Sequence, residues 1–474
     1  MSVTKTLDLI CLGRASVDLY GQQIGDRLQD ISSFAKSLGG SSCNIAFGAA
    51  RLGLKASMLT RVGDEQFGQF IREELQKAGC DTSHVVTDPK RLTALAILSI
   101  KTKDQFPLLF YRTDCADMAI DCSDFDEAYI ASSKALLITG THFSTAHVDK
   151  VARHAIHFAR KNQTKVILDI DYRPVLWGLT ALGEGDNRFV SNQSVTAHLQ
   201  SIVPLCDLIV GTEEEIHIAG GSTNTIECLR TIRKLTDAVI VLKRGADGCS
   251  IFEAQIPDDL NSAFFSQGVR VEVLNVLGAG DAFMSGFLRG WLKDESYERC
   301  CAYANASGAL VVSRHGCAPA VPTPEELDYY LAHQQQIARP DLDDELNYLH
   351  RVTTRFPTMW GELCILAFDH RKQFADMAQQ ANAPLSRVPQ LKQLILTAVQ
   401  AEAAELQSVL SFQPGVLIDD TYGQDALNTL TGSTSTANQQ PWWIGRPVEV
   451  PSSRPLELEG GRSIGSRLVS WPRQ

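Results

Sequence analysis

Asn275-Val276-Leu277-Gly278-Ala279-Gly280-Asp281-Ala282-Phe283 runs directly into the helical pattern Met284-Ser285-Gly286-Phe287-Leu288-Arg289-Gly290-Trp291. Two glycines let backbone N–H groups crowd toward one point at a helix start, where free amides and the helix dipole favour a phosphate. The aspartate just after them suits another task. As a phosphate ligand Asp281 would repel the anion, yet it is well placed to take a proton from a hydroxyl that attacks phosphorus. The bland alternative is a glycine turn with Asp281 as an acidic first-turn residue, and on four residues alone that alternative stands.

Outward from this motif, apolar strand-like runs recur at 7–13, 56–62, 94–100, 135–140, 165–170, 207–211 and 238–243. Helix-length amphipathic stretches lie between several of them, at 44–52, 66–78, 147–161 and 223–235. Alternation of buried strands with helices predicts right-handed crossovers and a mainly parallel α/β sheet covered on both faces. Ligands then belong at the carboxyl ends of the strands. Segments 17–31 and 92–111 break the rhythm with hairpin-like alternation, as a small β lid would. The first domain closes near Pro319-Ala320-Val321-Pro322-Thr323-Pro324. A polar helix at 325–336, a linker-like Ala338-Arg339-Pro340-Asp341 and a new strand candidate at 363–368 follow, so the boundary falls at 335–345 and divides the chain into 1–340 and 341–474.

The 474 residues are 44% hydrophobic and 21% charged, and the net charge of -11 leaves no basic surplus for a general nucleic-acid binder. No run of about 18 apolar residues marks a membrane span, and the first residues lack a signal-peptide core, so a cytoplasmic location is expected. Twelve cysteines are scattered without a Cys-x-x-Cys pair, which predicts reduced structural thiols.

Two more elements sharpen the chemistry. Cys11-Leu12-Gly13-Arg14-Ala15-Ser16-Val17-Asp18 ends a strand with an acidic residue. Leu38-Gly39-Gly40-Ser41-Ser42-Cys43-Asn44 then sets small residues ahead of a helix, where the backbone approaches a ligand closely and Asn44 can bond a polyol. Together with Arg61-Val62-Gly63-Asp64, Phe67-Gly68 and the late Gly278-Ala279-Gly280-Asp281, they occur in the order of the ribokinase-like, or PfkB-type, carbohydrate kinase family, which residues 7–325 resemble. The resemblance implies a three-layer sandwich with a β lid, ATP and Mg2+ as cofactors, Asp281 as the base, and the amides of 277–280 as the anion hole for the transferring phosphoryl group. It further implies a substrate side made by Asp18, Gly39, Gly40, Asn44, Arg112 and Arg173.

On the nucleotide side the resemblance places Lys243, Gly245 and Gly248 of Lys243-Arg244-Gly245-Ala246-Asp247-Gly248, with Asn305. The loop Arg314-His315-Gly316-Cys317 would approach the adenine and ribose. Asp207 to Glu215 covers the family's Asn-x-x-Glu region, with Thr212 in place of the asparagine and Glu215 kept as the magnesium-organising acid. No P-loop signature is present.

Phe110-Tyr111-Arg112-Thr113-Asp114-Cys115-Ala116-Asp117 and Asp169-Ile170-Asp171-Tyr172-Arg173-Pro174-Val175-Leu176-Trp177 each put an arginine beside a strand end. A guanidinium fork suits carboxylate or phosphate, so an acidic sugar fits better than a neutral hexose. Within the family these stretches are similar to kinases of keto-deoxy sugar acids, which implies 5-dehydro-2-deoxy-D-gluconate as acceptor, with 2-keto-3-deoxygluconate next. The expected partners are ATP and this small acid, with no nucleic acid and no membrane; a homo-oligomer is compatible with the sequence. A sugar sensor without transfer activity and a nucleoside kinase are the competing classes; Asp281 with its glycines argues against the first, the two arginines against the second.

The last 130 or so residues carry strand-end polar clusters at 365–371, 415–423 and 442–447 and resemble a barrel-aldolase-related domain often fused behind such kinases. A full (β/α)8 barrel needs about 250 residues, so an incomplete barrel without its own aldolase activity is expected. Gly460-Gly461-Arg462-Ser463-Ile464-Gly465 reads as a phosphate-friendly loop.

Overall fold

The computed structural model describes residues 4–102, 105–187, 189–354, 362–407, 410–432, 442–447, 449–451 and 454. The 460–465 loop lies outside the described residues. The chain divides into two compact units, Met1–Phe356 and Pro357–Gln474.

In the first unit the strands are β1 (Leu7–Leu12), β2 (Ser16–Gly21), β3 (Phe34–Gly39), β4 (Ala56–Gly63), β5 (Val85–Asp88), β6 (Ala94–Leu98), β7 (Leu108–Tyr111), β8 (Ser133–Thr139), β9 (Lys165–Asp169), β10 (Leu208–Thr212), β11 (Val239–Lys243), β12 (Gly248–Phe252) and β13 (Phe264–Gln267). Among the described residues nine of them form one sheet, ordered β13-β12-β11-β10-β9-β8-β1-β4-β5. Pairing is parallel from β11 through to β5, and β12 and β13 add an antiparallel edge.

Side chains alternate across this sheet, and the hydrophobic clusters follow the alternation. Ile10, Leu12, Leu136 and Ile138 face one cluster with Val151, Ala155 and Ile156 of the Ala146–Lys161 helix. Leu9, Cys11, Ala135 and Leu137 face the other, with Ile45 and Phe47 of the Ser41–Arg51 helix and Phe283, Met284 and Phe287 of the Ala279–Trp291 helix. Each fully buried Leu or Ile contributes roughly 1.5–3 kcal/mol, so both covering layers are firmly held. The result is the expected ribokinase-like three-layer α/β sandwich.

The lid is a four-stranded sheet, β3-β2-β6-β7. It contains β2 and the β6–β7 pair, where the sequence predicts a lid, plus β3, which the sequence shows only as residues ahead of a glycine turn. The run 94–100 belongs to this lid and not to the central sheet.

In the second unit, β14 (Leu363–Ala367), β15 (Gln413–Leu417) and β16 (Trp443–Gly445) pair in parallel in that order. Among the described residues this unit is a three-stranded parallel α/β sheet, and a barrel is not formed by them. At its centre the Lys392 ammonium donates to the Phe368 carbonyl at 2.7 Å and pairs with Asp419, both side chains being fully buried.

Candidate active site

Five adjacent parallel strands of the first unit end at one place. The loops after β1, β8 and β9 and the last residues of β10 and β11 deliver Arg14, Thr141, Asp171, Thr212 and Lys243 there, as an α/β sheet requires of a ligand site. The Ala279–Trp291 helix starts over the same edge. Gly278 caps it at φ +78°, and a Cβ there would stand 2.0 Å from the Cys317 sulfur, so both backbone and space demand glycine.

Asn275 is fully buried and holds the turn from below. Its amide donates to the Arg314 carbonyl, and its oxygen accepts from the Leu277 N–H at 3.0 Å. This corrects the expected anion hole: Leu277 already has its acceptor. The Ala279 N–H makes a long 3.4 Å contact with the Val276 carbonyl, and the Gly278 N–H has no protein acceptor among the described residues.

Asp281 is the third residue of that helix. Asn44, 237 positions away on the helix after Gly39-Gly40, donates to its Oδ2 at 2.8 Å. Burial lifts the Asp281 carboxyl to about 6, with Asp171 adding repulsion and the Asn44 hydrogen bond, Arg173 and Arg14 opposing. It is therefore ionised at neutral pH but more basic than an ordinary aspartate, which suits a proton acceptor.

The glycine pair has a steric cause as well. A Cβ on Gly39 would fall 1.8 Å from Asp18 Oδ1, and Gly40, at φ +85°, would press on the Arg14 carbonyl. Asp18 thus lies flat against the β3 backbone. Burial raises its carboxyl to about 7, while the Ser16 hydroxyl and the charges of Arg14 and Arg112 pull the other way.

Three arginines surround this pocket. Arg14 donates to Asp171 at 2.6 Å, to Ser41 at 2.9 Å and to Thr141 at 2.8 Å, all buried. Burial alone would raise the Asp171 carboxyl; Arg14, Arg173 and the Ser41 hydroxyl outweigh it and hold it at about 2. Asp171 sits at φ +29°, a strained position for a residue with a side chain, fixed by these bonds. Arg112 pairs with buried Asp117, which also accepts from the Ala15 N–H; Arg112 Nη1 has no partner among the described residues. Arg173 is loosely held, 3.6 Å from Asp171, with 22% of its side chain exposed.

Glu215 and Thr212 close a capping box at the start of the Glu213–Gly220 helix, and Glu215 also accepts from the Tyr172 N–H at 3.3 Å. Thr212 therefore works as a helix cap. Lys243 is turned inward, 3.2 Å from Asp169 and 3.7 Å from Glu215. Burial alone would favour losing its proton, but the two carboxylates hold it charged, above its ordinary range.

The other expected nucleotide residues, Gly245, Gly248 and Asn305, lie in the turn after Lys243, at the start of β12 and on the Tyr297–Val312 helix. Gly245 and Gly248 shape the turn into β12, where a Cβ on Gly248 would strike the Ser266 carbonyl at 2.0 Å. Asn305 donates to Ser266 and Gln267, tying its helix to β13. The Arg314–Cys317 loop, expected beside the adenine and ribose, places Cys317 3.9 Å from Asp281 and His315 against Tyr20 and the Gly21 carbonyl.

Residues 6–324 match the model of the pfkB family carbohydrate kinases. The chain belongs to the pfkB family. A 5-dehydro-2-deoxygluconokinase of Halalkalibacterium halodurans is 30% identical over 71% of this chain and 98% of its own length. One from Geobacillus kaustophilus is 33% identical over 69% of this chain and 94% of its own. A ribokinase-type protein from E. coli, solved in complex with ATP and Mg2+, shares the fold with a TM-score of 0.61, at 18% identity over 69% of this chain and 99% of that one. Residues 326–474 match a family described as an uncharacterized protein conserved in bacteria. The first part of that match, up to 354, packs within the first unit: His350 meets Glu326 at 2.9 Å and Thr353 meets Thr323 at 2.8 Å.

In this pfkB unit the residues that sequence reading passes over are Arg14, Ser41, Thr141, Asp169 and Asp171. Arg14, Ser41, Asp169 and Asp171 stand inside the quoted motifs, but their roles come from pairings 27 to 157 residues apart, such as Arg14 with Ser41 and Asp171. Thr141 lies outside every quoted motif; the end of the 135–140 strand is its one signal.

Proposed function

We propose that this carbohydrate kinase transfers the γ-phosphoryl group of ATP to the terminal hydroxyl of 5-dehydro-2-deoxy-D-gluconate. The observation that carries the reading is Asp281, ionised and bonded to Asn44, at the first turn of a helix whose Gly278 amide is free to receive an anion. The names of the relatives support the same acceptor. Asp18 and Asn44 bond the polyol, with Gly39 and Gly40 making room, and Arg112 Nη1 with Arg173 receives the carboxylate. Asp281 takes the hydroxyl proton as its oxygen bonds to phosphorus. Gly278, Ala279 and Gly280 stabilise the charge that develops, an effect typically worth a few kcal/mol.

On the nucleotide side, Gly245, Gly248 and Asn305 act by shaping the β11–β13 edge. Magnesium favours carboxylates, water and phosphate oxygens. Among the described residues no three ligating side chains cluster, so Glu215 would hold it through water, with ATP phosphates completing the shell. Bound there, it would neutralise charge on the phosphates. The E. coli structure with ATP and Mg2+ supports this pairing. An enzyme that consumes ATP in this way belongs in the cytoplasm, and among the described residues no helix is long and apolar enough to cross a membrane.

The test is ATP consumption over a panel of keto-deoxy sugar acids, neutral hexoses and nucleosides. Highest kcat/KM on 5-dehydro-2-deoxy-D-gluconate is expected; preference for a neutral hexose or a nucleoside would overturn the assignment.

A further inference from the structure

The Lys243 ammonium, 8% exposed at the carboxyl end of β11, is 3.5 Å from the point where a Cβ on Gly280 would stand, besides its contacts with Asp169 and Glu215. Two facts about this juxtaposition need a cause. A buried cation facing the first turn of a helix meets the positive end of the dipole, which is repulsive unless an anion comes between them. And Gly280 has no conformational need to be glycine: it is absent from the positive-φ residues, and a Cβ there would make an ordinary contact with the ammonium and meet nothing else. The space in front of Gly280 is thus left open and bounded by a single polar atom.

We propose that Lys243 is a further catalytic residue, whose ammonium bonds the oxygens of the phosphoryl group during transfer, in place of a nucleotide-holding role at the glycine turn after it. The proposal rests on the kinase reading and adds a participant to it. As the substrate oxygen bonds to phosphorus and the bond to the ADP oxygen breaks, its electron pair leaving with ADP, Asp281 accepts the hydroxyl proton. Lys243 keeps its own proton and turns N–H donors from Asp169 toward the equatorial oxygens, where charge gathers. Asp169 and Glu215 keep the ammonium charged and fix its stem.

The experiment compares wild type, Lys243→Met, Lys243→Arg, Gly280→Ala and the double variant Lys243→Met with Asp169→Asn, which removes the charge that the single change would strand. In the double variant kcat falls by about 10²–10³-fold, the scale of losing one transition-state donor, while the KM for ATP stays within about threefold. Lys243→Arg recovers part of the loss, and Gly280→Ala folds normally yet turns over slowly. Calorimetry with ADP, Mg2+ and aluminium fluoride, which mimics the transferring group, needs no sugar. Wild type gains affinity from the fluoride, and the double variant loses that gain but binds ADP unchanged. A kcat within about threefold of wild type, a rise confined to the KM for ATP, or no fluoride-dependent gain in wild type would overturn the proposal. A wild type that phosphorylates none of the sugar acids sinks the substrate reading alone, since the fluoride titration still reads Lys243.

Discussion

Asn44 Nδ2 donates to Asp281 Oδ2 at 2.8 Å, joining the glycine-pair helix at the start of the chain to the glycine-turn helix near the end of the first unit. The bond favours the ionised form of Asp281, because it is donated to the carboxylate. Replacing Asn44 with Ala should therefore move the acid limb of the kcat/KM profile upward from about 6 by roughly half a unit or more and lower turnover about tenfold. A pH–rate profile over pH 5–9 checks this; an unmoved limb would show that the bond does not tune the base.

The same carboxyl links stability to pH. Its folded value is raised by burial, so its contribution to stability is fully present below pH 4 and is lost as pH rises through about 6. Asp281→Asn should stabilise the fold at pH 8, by about 1–2 kcal/mol, and give little or no gain at pH 4. Thermal unfolding at the two pH values reads the difference, and equal shifts at both would contradict it.

Gly278 is constrained by backbone and space together. A left-handed conformation and a Cys317 sulfur 2.0 Å from where a Cβ would stand leave no low-energy place for a side chain. Gly278→Ala should cost about 2–4 kcal/mol of stability and most of the activity. The paired change Gly278→Ala with Cys317→Gly relieves the clash but keeps the φ strain, so it should recover stability only in part. Chemical denaturation of both variants measures the two steps, and full recovery in the pair would show that the clash alone matters.

Much of this fold is legible in the amino-acid sequence. The runs at 7–13, 135–140, 165–170 and 238–243 are mostly apolar because both faces of a central parallel strand are covered, and they form β1, β8, β9 and β11. β3, β5 and β13 are not visible there, being short or only half buried: β13 alternates between half-buried and exposed residues and sits on the sheet edge. Asp281, Asn44 and the glycines can be named because their chemistry is local to a turn and a helix start. The inward course of Lys243 cannot, since its partner Asp169 lies 74 residues away and the family pattern points to the turn that follows it. Thr212 is readable as a departure from that pattern, and only the capping box shows what it does.

The second unit offers a separate stability test. Lys392 and Asp419 are fully buried partners, so Lys392→Met strands a carboxylate and should cost about 3–5 kcal/mol of that unit's stability. Lys392→Met with Asp419→Leu should restore most of it. Hydrogen exchange localised to β14 and β15 reports both, and equal protection in the single variant and wild type would refute the prediction.

The central claim is that Asp281 takes the proton from a sugar-acid hydroxyl beside an anion-binding helix start. Its most direct measurement is steady-state phosphorylation of 5-dehydro-2-deoxy-D-gluconate by wild type and by Asp281→Asn, with ATP affinity measured in parallel. A kcat reduced by about 10³-fold or more with ATP affinity within a few-fold of wild type is the predicted result; near-wild-type turnover by Asp281→Asn would contradict the account.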